Sequence, residues 1–212
     1  MLSNYQRLNN DVIKQKTVFL KKKEYTKEYI YKRYDHYGHS STYISFLRLG
    51  FILGAIDLES LHNIKLLDVG YGNGDFLKCA QRYISSCYGF EINNYLIPKG
   101  CSFIDDIYKE NFDIVCFFDV LEHFDDIYEI QNLKAQYICI SVPECHYIND
   151  SWFENWHHRR PDEHLWHFNK LSLKNFMQEI GYRLICYSDV EDTIRKPINN
   201  LSNILTGMFI RC

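Results

Sequence analysis

The chain carries eight cysteines but no pair of them at C-x-x-C spacing, which argues against a zinc ribbon. No apolar stretch approaches the ~20 residues that a bilayer span needs. Positive charge is not in excess. A net charge of −3 argues against a protein that holds bulk nucleic acid by electrostatics alone, while leaving room for a local basic pocket. Internal repeats, low-complexity tracts and proline-rich linkers are absent, and 212 residues suffice for one well-buried domain but are short for two. The N-terminus lacks a signal-peptide pattern. Cysteines 79, 87, 101, 116, 139, 145, 186 and 212 are therefore expected to be reduced thiols in a cytoplasmic protein, Cys116 and Cys139 as small buried hydrophobes.

What is present divides the chain in two. Residues 1 to about 60 have few breakers and two apolar stripes at helical spacing, and are expected to form a helical cap. Val12, Phe19 and Leu20 make the first stripe; Ile44, Phe46, Leu47, Leu49, Phe51, Ile52 and Leu53 make the second. The polar, aromatic run Tyr34 to Ser41 separates them, and Lys21-Lys22-Lys23 is expected to be a solvated face. From residue 61 onward short apolar strands alternate with helix-compatible stretches, which implies an α/β fold with a parallel sheet covered on both faces. Strands are expected near Lys65–Val69, Cys87–Glu91, Cys101–Ile104, Phe112–Phe118, Tyr137–Val142, Tyr182–Val190 and Ile204–Arg211. Helices are expected over roughly Gly74–Tyr83, Val120–Asn132 and Ser172–Gly181. The cap and residues 61–212 together make one structural domain.

The most informative stretch is Leu66-Leu67-Asp68-Val69-Gly70-Tyr71-Gly72-Asn73-Gly74-Asp75, an apolar strand that ends in an acid and a glycine-punctuated turn. Glycine at such a turn tolerates positive φ and lets the backbone approach a ligand. The spacing is G-x-G-x-G; the dinucleotide fingerprint would need glycine where Asp75 stands, which disfavours a nicotinamide cofactor. In an open α/β sheet ligands sit beyond the carboxyl ends of the strands, and three acidic positions fall there. Asp68 ends the first strand, Glu91 ends the second beside Ile92, and Asp105 and Asp106 follow the third.

After the fourth strand comes Asp119-Val120-Leu121-Glu122-His123. Asp119 as N-cap with Glu122 at N3 would be an acidic capping box. A continuous helix would also put 119, 122 and 123 on one face, aiming His123 at a reaction centre as base or metal ligand. The two readings are compatible. After the fifth strand, Trp152 to Asn169 holds four histidines and two arginines within eleven residues. His157 and His158 taken singly read as structural. Arg159 and Arg160, with His157, are expected to hold an anionic group of a substrate.

Taken together, these residues resemble the class I S-adenosylmethionine (SAM) dependent methyltransferases over about 65–181. The glycine loop and Glu91 carry the match, along with the D-V-L-E-H segment and Glu163-His164-Leu165-x-x-Phe168. The resemblance implies a Rossmann-like, doubly wound, mostly parallel seven-stranded sheet with an antiparallel C-terminal strand, preceded by a helical extension. It implies SAM contacts from Asp68, Gly70, Tyr71, Gly72, Gly74, Glu91, Ile92, Asp105, Asp106 and Asp119. Tyr37, with Tyr34 and Tyr71, would close over the cofactor. His123 or His164, with Glu122, would assist deprotonation of an O or N acceptor.

The acceptor is expected to be a small molecule, with nucleic acid a partner only as substrate and no membrane partner. Small-RNA 2′-O-methyltransferases and some quinone-pathway O-methyltransferases look similar. They imply a second reading in which Asp119, Glu122, His123 and His164 hold Mg²⁺ or Mn²⁺. A non-catalytic methyltransferase-like binding subunit is a third. DNA base methylation is disfavoured because the helix-entry segment is not (D/N)-P-P-(Y/F).

Overall fold

The computed structural model describes residues 3–16, 39–56, 63–93 and 96–212. Phe19, Leu20, Lys21–Lys23 and the aromatic run around Tyr34 and Tyr37 lie outside them. The first described elements depart from the helical expectation: Tyr5–Arg7 (β1) and Ile13–Gln15 (β2) pair antiparallel. Turn chemistry decides this. Asp11 takes φ +66°, the Asn10 side chain accepts from the Val12 amide at 3.2 Å, and the Leu8 amide donates to the Val12 carbonyl at 2.8 Å. Asn and Asp tolerate the left-handed turn that a helix forbids. Val12 nevertheless reaches the main core.

Ser40–Ala55 (α1) is helical as expected. It buries Ile44, Leu49 and Ile52, while Phe46 falls off the stripe and is exposed.

Seven strands then form one sheet. Chain order gives Lys65–Val69 (β3), Ser86–Phe90 (β4), Ser102–Phe103 (β5), Asn111–Phe118 (β6), Lys134–Pro143 (β7), Tyr182–Ser188 (β9) and Ile204–Arg211 (β10). Their spatial order is β5-β4-β3-β6-β7-β10-β9, parallel except for β10, which is antiparallel to both neighbours. Trp166–His167 (β8) instead joins β2, so the N-terminal hairpin braces the histidine-rich segment.

Side chains alternate between the faces of the sheet. Leu67, Val115, Phe117, Ile138 and Ile140 enter one core with Phe176 of Lys170–Glu179 (α4), which Asn169 and Ser172 close with a capping box. Leu66, Ile114, Cys116, Cys139 and Met208 enter the other core, with α1 and Asp75–Ala80 (α2). Each β6 side chain from Ile114 to Phe117 is fully covered, which is why that strand reads as an unbroken apolar run. Asp150–Asn155 (α3) and Asp192–Arg195 (α5) complete the described helices. None of them is long and apolar enough to cross a membrane.

The expected helix over Val120–Asn132 is instead two 3₁₀ turns, Leu121–His123 and Ile127–Asn132, with extended backbone at Phe124 and Asp126. Asp126 caps the second turn through the Tyr128 amide at 2.9 Å. Phe124 thus ends one turn and Asp126 starts the next.

Candidate active site

The chain leaves β3 in one direction to build β4 and β5, and returns to the other side for β6 and β7. The reversal opens a crevice beyond the carboxyl ends of β3 and β6. A cavity of about 840 Å³ occupies it, within the range of small-molecule sites. Gly70, Gly72 and Gly74 all have positive φ. The Gly70 amide donates to the Phe90 carbonyl at 2.7 Å, and a Cβ there would stand 2.6 Å from Val120 Cγ2. Only glycine fits. Gly70, Tyr71 and Gly72 line the cavity, whereas Gly74 turns the chain into α2 with its α-carbon packed toward Pro98.

Two carboxyl groups flank the turn. Glu91 is nearly covered; one oxygen accepts from the Gly72 amide at 3.0 Å, the other from the Asn93 amide at 3.2 Å and side chain at 3.1 Å. Asp68 is buried on the cavity wall. Burial pushes its carboxyl up to about 8, against the pull of Arg48 and with added repulsion from Glu91. Ile92 stands exposed at the rim. Asp106 accepts from the Tyr108 amide at 2.9 Å, and Asp105 pairs with Lys109 at 3.3 Å; both acids line the same cavity.

Asp119 also lines the cavity, but it is not the N-cap that the sequence suggested. Its φ is +57°, and Val120 caps the following turn without a side-chain bond. The carboxylate goes to two arginines. Arg195 donates through Nη1 at 2.7 Å and more closely through Nη2, and Arg48 donates through Nη2 at 2.9 Å. Burial works to raise the Asp119 pKa, but Arg195 and then Arg48 hold it well below the usual range. Glu191 pairs with both guanidinium groups, accepting from Arg48 Nε at 2.8 Å and lying 3.2 Å from Arg195 Nε as an ion pair. Arg48 also lies 4.3 Å over the Phe118 ring. Sequence reasoning missed both arginines. The one available signal was a lone charge inside the apolar stripe of α1.

Glu122, His123 and His164 do come together, with one ligand-capable atom of each within 4.8 Å of the others. His123 Nδ1 donates to the Glu163 carbonyl at 2.8 Å and His164 Nδ1 to the His158 carbonyl at 2.7 Å. A carbonyl only accepts, so each ring keeps its lone pair on Nε2. The Leu165 amide donates to the Glu122 carbonyl at 2.8 Å, tying the two segments. Burial, then the neighbouring His123, depresses His164 strongly. His123 lines the cavity, with Glu122 and His164 behind it. Asp119 faces the arginines, not this cluster.

The residues expected to hold an anionic substrate are engaged elsewhere. Arg160 pairs with Glu163 at 3.2 Å, Arg159 lies 6.0 Å over the Tyr5 ring, and the His157 ring sits 3.7 Å from that of His158. None of the three is among the cavity-lining residues.

The fold has relatives. A family model described as a methyltransferase domain matches residues 24–187. The complex between the Haloferax volcanii Trm112 methyltransferase activator and a methyltransferase contains a similar fold. Its TM-score is 0.60 at 9% identity, covering 87% of this chain and 94% of that one. Magnesium protoporphyrin IX methyltransferase from Synechocystis, with bound SAH, superposes at TM-score 0.56 and 13% identity over 82% of this chain and 84% of its own. A SAM-dependent methyltransferase from Mesorhizobium loti gives TM-score 0.52 and 14% identity over 73% and 94%. No curated protein sequence matches the chain. Identities this low speak to shared architecture, and the family match covers more than half the chain. The chain therefore belongs to the methyltransferase-domain family.

Proposed function

We propose that the protein transfers the methyl group of SAM to an oxygen or nitrogen of a small-molecule acceptor. One observation carries this reading: Asp68, the glycine turn, Glu91 and His123 all line a single cavity. The residues fit the cofactor, since bare main chain lies beside two carboxyl groups able to accept from a nucleoside's hydroxyl and amino groups. When bound, SAM supplies an activated methyl on a sulfonium. The chain then has to orient and desolvate. Glu91 accepts from the ribose hydroxyls with the lone pairs that Gly72 and Asn93 leave. Asp105 and Asp106 meet the base, and Asp68 meets the amino-acid end. His123 takes the acceptor's proton on Nε2, because its Nδ1 is committed to Glu163. The positions of Arg159 and Arg160 off the cavity wall give no support to an anionic acceptor.

The test is labelled SAM incubated with a panel of metabolites and oligonucleotides. Label transfer to a metabolite supports the proposal, transfer to oligonucleotides alone overturns the small-molecule part, and SAM binding without any transfer favours the non-catalytic reading.

A second reading is favoured by the Glu122–His123–His164 cluster, whose two imidazoles are oriented by main-chain carbonyls in the manner of metal ligands. A divalent cation there would polarise an acceptor hydroxyl. Asp119, committed to Arg48 and Arg195, drops out of the expected ligand set. Calorimetric binding of Mn²⁺ that His164→Ala abolishes, with chelator-sensitive turnover, would support it; undiminished turnover in chelator would not.

A further inference from the structure

Asp119 combines two features that the reading as a cofactor site does not use. It is a non-glycine residue in the left-handed region, at φ +57°, a conformation that a short polar side chain tolerates and glycine takes freely. Its carboxylate is also gripped by guanidinium groups from sequence-distant elements, Arg48 on α1 and Arg195 on α5. The left-handed step folds the chain back over the glycine turn. Val120 Cγ2 thereby comes so close to Gly70 that no Cβ fits between them. With Glu191, the group holds two positive and two negative charges and is internally balanced.

We propose that Arg48 and Arg195 are positioning residues: their clamp on Asp119 holds the left-handed step that seats Val120 against Gly70 and so shapes the cofactor side of the cavity. The inference rests on the reading of that cavity as the SAM site. Arg195, from the connection between β9 and β10, and Arg48 both line this cavity, so the test has to separate their hold on Asp119 from direct contact with the ligand.

The test compares Arg195→Gln, Asp119→Ala, Asp119→Gly and the double variant R195Q/D119G for SAM binding by calorimetry. R195Q, which loosens the clamp, and D119A, which leaves a residue with no carboxylate at this positive φ, are each expected to weaken SAM about tenfold. D119G is expected to bind SAM at least about threefold more tightly than D119A, because glycine takes the same φ without a clamp. The double variant should match D119G, since losing both charges leaves Arg48 and Glu191 as a balanced pair. This rescue is a readout that a merely structural arginine would not produce. Wild-type affinity in R195Q, or D119G as weak as D119A, overturns the clamp. Should R195Q fail to fold, the contrast between D119A and D119G decides alone.

Hydrogen exchange on the ligand-free protein separates this proposal from the functional one. R195Q should speed exchange at the Asp119 and His123 amides, which donate to Ser141 and Val120, and leave β10 unchanged. Unaltered exchange there overturns the clamp whether or not SAM binds.

Discussion

His123 Nδ1 donates to the main-chain oxygen of Glu163 across 2.8 Å, joining segments 40 residues apart. The bond fixes one tautomer and aims the basic nitrogen away from Glu163. If His123 is the base, His123→Ala lowers kcat by about 100-fold or more. SAM affinity, measured by calorimetry, should change little, because the proposed cofactor contacts lie at or just beyond the ends of β3, β4 and β5.

Glu91 has a double duty, holding the Gly72 amide as well as facing the cavity. Glu91→Ala removes a charged acceptor and frees the glycine turn. The expected cost is about 2–3 kcal/mol in SAM binding, or roughly 30- to 150-fold in Kd, with a smaller effect on melting temperature.

Gly70 has neither room for a Cβ nor an ordinary φ. Gly70→Ala is therefore expected to abolish measurable SAM binding. Adding Val120→Ala relieves the contact but not the φ, so it should restore binding only in part.

Stability should depend on pH in two limbs. His158 and His167 are held down to about 4 and about 3, chiefly by burial, so the unfolded chain takes up their protons first as pH falls below about 6.5. That stability is present above 6.5 and lost on acidification. Asp68 works oppositely. Its carboxyl sits up at about 8, so the folded chain holds a proton that the unfolded chain gives up near 3.8, and stability falls as pH rises through that window. Above pH 6.5 only the second effect acts, at up to ~1.4 kcal/mol per pH unit. Melting temperature of the ligand-free protein should peak near pH 6.5, and Asp68→Asn should flatten the decline toward pH 8.

Local pattern carried most of this fold into view. β3 and β10 run over the expected residues, and the glycine turn and Glu91 meet at one cavity because strand ends and turn residues are written in adjacent positions. The errors arose where short polar residues outvoted periodicity, at Asn10-Asp11 in the hairpin and at Asp126, which caps the second 3₁₀ turn. The Arg48–Asp119 and Asp119–Arg195 pairs span 71 and 76 residues, a separation at which no periodicity or spacing rule operates. Folding alone brings them together. Arg159 and Arg160 illustrate the converse, since a dense cluster of functional residue types can be absorbed by its own neighbours.

The most direct measurement is a calorimetric titration of SAM into the wild-type chain and Glu91→Ala, each paired with a melting curve. The account predicts one site per chain, a raised melting temperature on saturation, and a marked loss of affinity in the variant. Absence of heat and of any thermal shift with wild type, or equal affinity in Glu91→Ala, would contradict it.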